Sequence, residues 1–242
     1  MGNRSVIFPV MLAGLMLSGC SHYYYLPSSP NIPLLTQQGD WRASIAGYQG
    51  GSGSTIPGFE LQGSYAISNK IGLITNLLTV SKTEGSEYGK GSYFDLGAGY
   101  YKASKSGHFV YEIYGVLGVG HAENGFANLG SSRANFSKIY IQPIIGYKSK
   151  YFDAGFTWKL ASQRFSAVQY TGTLDSFELD RLTNMQSNPD SFLSEPGFVV
   201  RVGIKNIKAQ FQYGISINSN RQTLAGVGIG IIVTIPGGQR EK

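Results

Sequence analysis

The sequence predicts an all-β protein, an antiparallel up-and-down β-barrel of about ten strands of the kind that crosses a membrane. Three observations carry this expectation: few charges without any long apolar run, period-two alternation from residue 40 onward, and connections of contrasting length. Charged residues are 14% of the chain, where a soluble domain carries about 25%. Hydrophobic residues are nevertheless only 42%, and no apolar run reaches the roughly 18 residues of a membrane helix. A transmembrane barrel reconciles the two, because only every second residue of a strand meets lipid. Thirty-three Gly and sixteen Tyr fit strands with small inward residues and aromatic rims.

Two segments precede the strands. Residues 1–19 read as a lipoprotein signal peptide: Arg4 is the only charge, and the apolar run from Val6 to Ser18 is too short to span a bilayer. Leu17-Ser18-Gly19-Cys20 resembles the lipobox of bacterial lipoproteins, and Cys20 is the only cysteine. The resemblance implies cleavage before Cys20 and a diacylglycerol on its thiol, with palmitate among the acyl chains. Acylation would leave no thiol for disulfides or metal sites. Residues 20–39 read as a lipidated tether broken by Pro27, Pro30 and Pro33, and 40–242 as the barrel domain.

The strands are read at 40–48, 58–68, 71–82, 92–102, 109–120, 136–148, 151–163, 197–204, 207–217 and 223–234. One face is apolar, with Leu61, Leu96, Ile141, Leu160, Val202 and Ile229 among its residues. The other mixes Gly, Gln and charges, the filling expected of a narrow barrel interior. On that face the acids Glu60, Asp95, Glu112 and Asp153 are expected to meet the bases Lys138, Lys159 and Arg201 as lumenal ion pairs. Buried charges must be paired, which favours a filled lumen over a conduit.

The connections 49–57, 83–91, 121–135 and 164–196 are long, whereas 69–70, 149–150 and 205–206 are tight. Outer-membrane barrels have long extracellular loops and short periplasmic turns. An even strand count then returns both ends of the barrel to the periplasmic side, where the lipid anchor is expected. The short turns hold Lys70, Lys102, Lys105, Lys148, Lys150, Lys205 and Lys208, read as solvated or snorkelling at the membrane edge.

From Cys20 to the last strand this plan resembles small bacterial outer-membrane β-barrel lipoproteins of uncharacterised function, Cys20-Ser21-His22-Tyr23-Tyr24-Tyr25-Leu26-Pro27 being the matching start. The resemblance implies an outer-membrane, Gram-negative location and contact with outer-membrane lipids, with lipopolysaccharide or a surface partner at the loops. The expected role is structural or interactive, without enzyme activity, cofactor or metal. The net charge of +6 lies largely in turns and does not imply nucleic acid.

Two other classes are expected to leave different marks. A tethered periplasmic ligand-binding barrel, lipocalin-like, would turn its apolar faces inward. A rim-sited hydrolase would use His121 with Glu123, two residues apart on one face, and Ser131 or Ser132 as nucleophile. The acids 175, 178, 180 and 190 could offer oxygen ligands to a divalent cation, but their spacing matches no EF-hand loop.

Overall fold

The computed structural model describes residues 22–52, 54–127, 129–218 and 223–238. Residues 1–19, read above as a signal peptide, and Cys20 lie outside the described residues. Ten strands follow in order: β1 Trp41–Ser52, β2 Ser54–Ala66, β3 Ile71–Glu84, β4 Glu87–Ala103, β5 Phe109–Phe126, β6 Gly130–Lys148 and β7 Phe152–Gly172, then β8 Asp190–Gly203, β9 Ile207–Asn218 and β10 Thr223–Ile235. Each pairs antiparallel with its chain neighbours, and β1 pairs with β10 to close the barrel. The closed ten-stranded antiparallel barrel is the fold the sequence predicts.

Alternation sorts the two faces as expected. Leu96, Leu117, Ile139, Ile141, Val202 and Ile229 are exposed on the outside, at 54–66% of their surface. Trp41, Tyr65, Tyr100, Phe109, Tyr147 and Phe152 ring the short-turn end, also on the outside. The apolar faces that a lipocalin-like barrel would turn inward thus point outward here, although inward residues such as Ile74, Val116 and Phe136 are apolar too. Parity decides the matter, since a one-residue slip would exchange every inward side chain for an outward one.

The long connections prove to be mostly strand. β3 and β4 pair up to Glu84 and Glu87, and β5 and β6 up to Phe126 and Gly130. At these heights the outward residues are polar, as with His121, Glu123, Arg133 and Asn135, so the apolar alternation stops while the ladder continues. β5, β6 and β7 are 18, 19 and 21 residues long, against 12 and 13 for β1 and β2, and the barrel rises to a tall wall on one side. A register shift between Arg133 and Asn135, opposite Ala167 with φ +48°, bends this wall.

Within 164–196 the chain also forms a helix, α1, at Ser176–Ser187. Asp175 caps it, accepting from the N–H of Glu178 at 2.8 Å, and Leu182 is fully buried beneath it. α1 packs on β7.

The largest departure is the segment expected as a tether. Tyr23–Leu35 is buried along its whole length inside the barrel. It enters beside α1, where Arg181 donates to the His22 carbonyl at 2.7 Å and the His22 and Phe126 rings lie 4.2 Å apart. It leaves at the short turns, where Gly39 donates to Ala66 O at 2.9 Å before β1 begins. The even strand count does bring the start of β1 beside the end of β10, since Gly237 donates to Asp40 at 3.0 Å. The segment before β1 then crosses the lumen, so His22 and Gly237 lie at opposite ends of the barrel. The N-terminal anchor is expected at the short-turn end, whereas His22, the first described residue, lies at the other end.

Candidate functional site: a plugged lumen and its roof

An extended segment with no ladder partner must satisfy its backbone groups some other way. Pro27, Pro30 and Pro33 remove three donors outright. The lumen meets many of the rest with side chains. Tyr48 donates to Pro27 O at 2.7 Å, Gln212 to Pro30 O at 2.8 Å, Gln142 to Asn31 O at 2.8 Å and Gln62 to Ser29 O at 3.2 Å. Glu112 accepts the consecutive N–H groups of Leu34 and Leu35 at 3.1 and 2.8 Å. Leu34 takes φ +55° there, a left-handed conformation a leucine holds only when its surroundings enforce it.

Small inward residues make the room. A Cβ on Gly155 would come 2.6 Å from Ile32, on Gly146 2.3 Å from Leu34, and on Gly72 2.6 Å from Leu35. Near the roof, Tyr23, Tyr25, Leu78, Tyr93 and Phe136 line a small pocket of about 30 Å³.

All seven charged residues predicted for the lumen are buried on the inward face. None of the ion pairs among the described residues joins two of these seven. Lys138 pairs at 2.6 Å with Glu195 of β8, and Tyr25 joins both side chains. Asp153 pairs at 2.6 Å with Lys208 and lies 4.0 Å from Arg42. Glu60 accepts from the Ser29 N–H at 3.3 Å, and Asp95 from Asn76 and Tyr140 at 2.6 and 2.8 Å. Lys159 donates to the Ser28 carbonyl and hydroxyl, at 3.2 and 3.1 Å, and Arg201 to Gln210 at 3.1 Å.

Three of these partners share a strand parity with other buried residues. Glu195 is in step with Arg201, Lys208 with Gln210, and Arg42 with Ser44 and Ala46, so extending the alternation finds them. Lys208 and Lys148 turn inward instead of lining the membrane edge; Lys148 reaches Thr36 at 3.1 Å and lies 3.8 Å from Asp40. Among the described residues, the strands bury five acids (Glu60, Asp95, Glu112, Asp153, Glu195) and five bases (Arg42, Lys138, Lys159, Arg201, Lys208). A balanced, packed interior of this kind works as a core, with no net charge to select an ion.

At the roof, His121, Glu123, Ser131 and Ser132, the residues weighed for hydrolysis, line one pocket, but each hydrogen-bonds to a residue outside the four. The Nδ1 atom of His121 lies 2.7 Å from Asn135 Oδ1, while Glu123 accepts from Tyr88 at 2.6 Å. Ser132 Oγ is 2.6 Å from the Tyr24 hydroxyl, and Ser131 Oγ is 3.1 Å from Thr171 Oγ1. His121 and Glu123 face the same way, as their spacing requires, but outward from the wall. The acids of 164–196 also have local duties. Asp175 caps α1, Glu178 lies 3.5 Å from Arg181, and Asp190 lies 3.4 Å from Arg164. Among the described residues no group of three or more His, Cys, Asp or Glu side chains is placed to hold a metal ion.

Fold and interior together define the class: a plugged β-barrel with the architecture of small outer-membrane barrels. No protein-family profile and no curated protein matches the chain. Among solved structures it is similar to Ail, the attachment invasion locus protein of Yersinia pestis, at 13% identity and TM-score 0.37, over 82% of this chain and 99% of that one. The β domain of the Bordetella autotransporter Brka is similar at 11% identity and TM-score 0.47, over 83% of this chain and all of that one. The translocator domain of autotransporter NalP from Neisseria meningitidis is similar at 11% identity and TM-score 0.41, over 81% and 88%.

Proposed function

We propose that this protein is a lipid-anchored outer-membrane β-barrel with a closed lumen, which acts as a structural or surface-interaction module through its loop end. The observation that carries the reading is the contrast between its two faces. A band of exposed aliphatic side chains surrounds the barrel, edged by aromatic side chains at the short turns, while the inside holds the buried charges and amides together with apolar and aromatic residues such as Ile74, Val116, Phe136 and Tyr140. In water such a band would be an aggregation site, and in a bilayer it meets lipid. The lipobox at Cys20 supports acylation. The packed lumen speaks against conduction, and the hydrogen bonds of His121, Glu123 and Ser132 to residues other than one another favour an interaction role over hydrolysis. The surface left for a partner, whether lipopolysaccharide or a protein, is the polar wall of β5–β7 with α1.

Two variants test the reading together. A lysine on the lipid face near mid-membrane costs about 2–4 kcal/mol. Leu117→Lys or Ile141→Lys should therefore lower the heat-modifiable, outer-membrane form. Cys20→Ser should abolish palmitate labelling and leave an uncleaved precursor. Full tolerance of both lysines would remove the membrane reading, and undiminished labelling of the serine variant would remove the anchor.

A further inference from the structure

We propose that the acylated N-terminus emerges at the long-loop end, so that the chain threads its own barrel and its lipid enters the outer leaflet from the cell surface. This rests on the reading of the protein as an acylated outer-membrane barrel, and it concerns a different question: the side on which the anchor lies.

The direction of the threaded segment is fixed at both ends. At the loop end His22 touches Phe126 at the tip of β5, Tyr24 lies 2.6 Å from Ser132 near the start of β6, and Arg181 of α1 holds the His22 carbonyl. At the other end Leu35 is held by Glu112, and Thr36 and Gly237 are both held by Asp40. Cys20 precedes His22 by two residues, and two residues of chain span at most about 7 Å. A membrane crossing takes roughly 9–11 strand residues, or about 30 Å. Cys20 therefore cannot return to the short-turn end while His22 keeps its place.

The segment is also too well fitted to be an incidental occupant. Its carbonyls are matched by Tyr48, Gln62, Gln142 and Gln212, and Gly146 and Gly155 leave space only its side chains fill. Without it, Glu60, Glu112 and Lys159 would lose the backbone partners they have inside the barrel. The seam between β1 and β10 must accordingly close around a segment already in place. Acylation, which the lipobox resemblance assigns to the precursor, comes before that closure.

Epitope tags decide the matter. One is inserted after Ser21, one after Thr173 between β7 and α1, and one after Lys150 in a short turn. Antibody binding is then read on intact and on permeabilised cells. The Ser21 and Thr173 tags should be read on intact cells, and the Lys150 tag only after permeabilisation. A Thr173 tag that is read while the Ser21 tag is silent overturns the threading and leaves the proposed barrel intact. Silence of all three until permeabilisation removes the membrane-spanning reading and the inference with it. If the Lys150 tag alone is read outside, both the orientation and the surface anchor fail. Ser21→Cys labelled with a membrane-impermeant maleimide repeats the N-terminal test without an insertion and with the same two outcomes.

Discussion

Breaking the Lys138–Glu195 pair should be costly in a way that removing both partners is not. The two charges are 2.6 Å apart, their side chains 0% and 4% exposed, with Lys138 also 5.2 Å from the Tyr140 ring. Glu195→Leu leaves an ammonium in the lumen with only the Tyr25 hydroxyl, at 2.6 Å, as acceptor. Lys138→Met leaves a carboxylate whose remaining donor is that same hydroxyl. Stranding one member of a buried pair costs about 3–5 kcal/mol, whereas replacing both with apolar groups of similar volume is near neutral or stabilising. Tyr25 loses its partners in the double variant, which adds back about 1 kcal/mol. Each single variant should therefore lose about 3–5 kcal/mol, and the double should stay within about 2 kcal/mol of the parent protein. Urea unfolding in detergent micelles, followed by fluorescence of Trp41 and Trp158, measures all four corners of the cycle. A double variant that loses the sum of the singles would refute the coupling and with it the view of the lumen as a paired core.

Two other perturbations probe the plug and its clasp. Gly155→Val puts a Cβ 2.6 Å from Ile32, so the segment must shift; overpacking of this kind costs about 1–3 kcal/mol and should open Tyr23–Leu35 to protease in the folded barrel. Unchanged protection would mean the segment packs elsewhere. Burial alone would raise the Asp40 pKa, but the Gly237 N–H, the Lys148 ammonium and the Thr36 donors outweigh it and hold the carboxyl below its usual range. A depressed folded pKa stabilises at pH above the unfolded value of about 3.9 and is lost as pH falls through the folded one. Acid unfolding should therefore become shallower below about pH 4 in Asp40→Asn, and an identical pH profile would exclude Asp40 as the clasp.

The strands were legible because lipid enforces a strict period. Leu61, Leu96 and Val202 could face nowhere else, and their parity carried Glu60, Asp95 and Arg201 to the inside. The same logic fails above the membrane. From Glu84 to Gly91 water replaces lipid outside the ladder, polar residues serve on both faces, and pairing leaves no hydrophobic trace. α1 had a readable start in Asp175 and Glu178, three residues apart, within an acidic stretch that otherwise resembles a loop. The plug is the least legible part. Its partners are lumenal amides and carboxylates far off in sequence, and its prolines, which suit an unpaired buried strand, suit a linker equally well.

The unequal strand lengths give the molecule a front and a back. Above Ser137 and Ser162 the outward residues of β6 and β7 turn polar, and β6 continues to Gly130, roughly 20 Å farther along the strand at about 3.3 Å per residue. On the opposite side β1 and β2 meet in a tight hairpin around Ser52 and Ser54. A barrel with a level rim presents the same profile at every rotation about the membrane normal, and this one does not. A neighbour in the membrane meets a polar parapet carrying α1 from one direction and a low rim from the other. Orientation within the plane of the membrane thus becomes a property a partner can read.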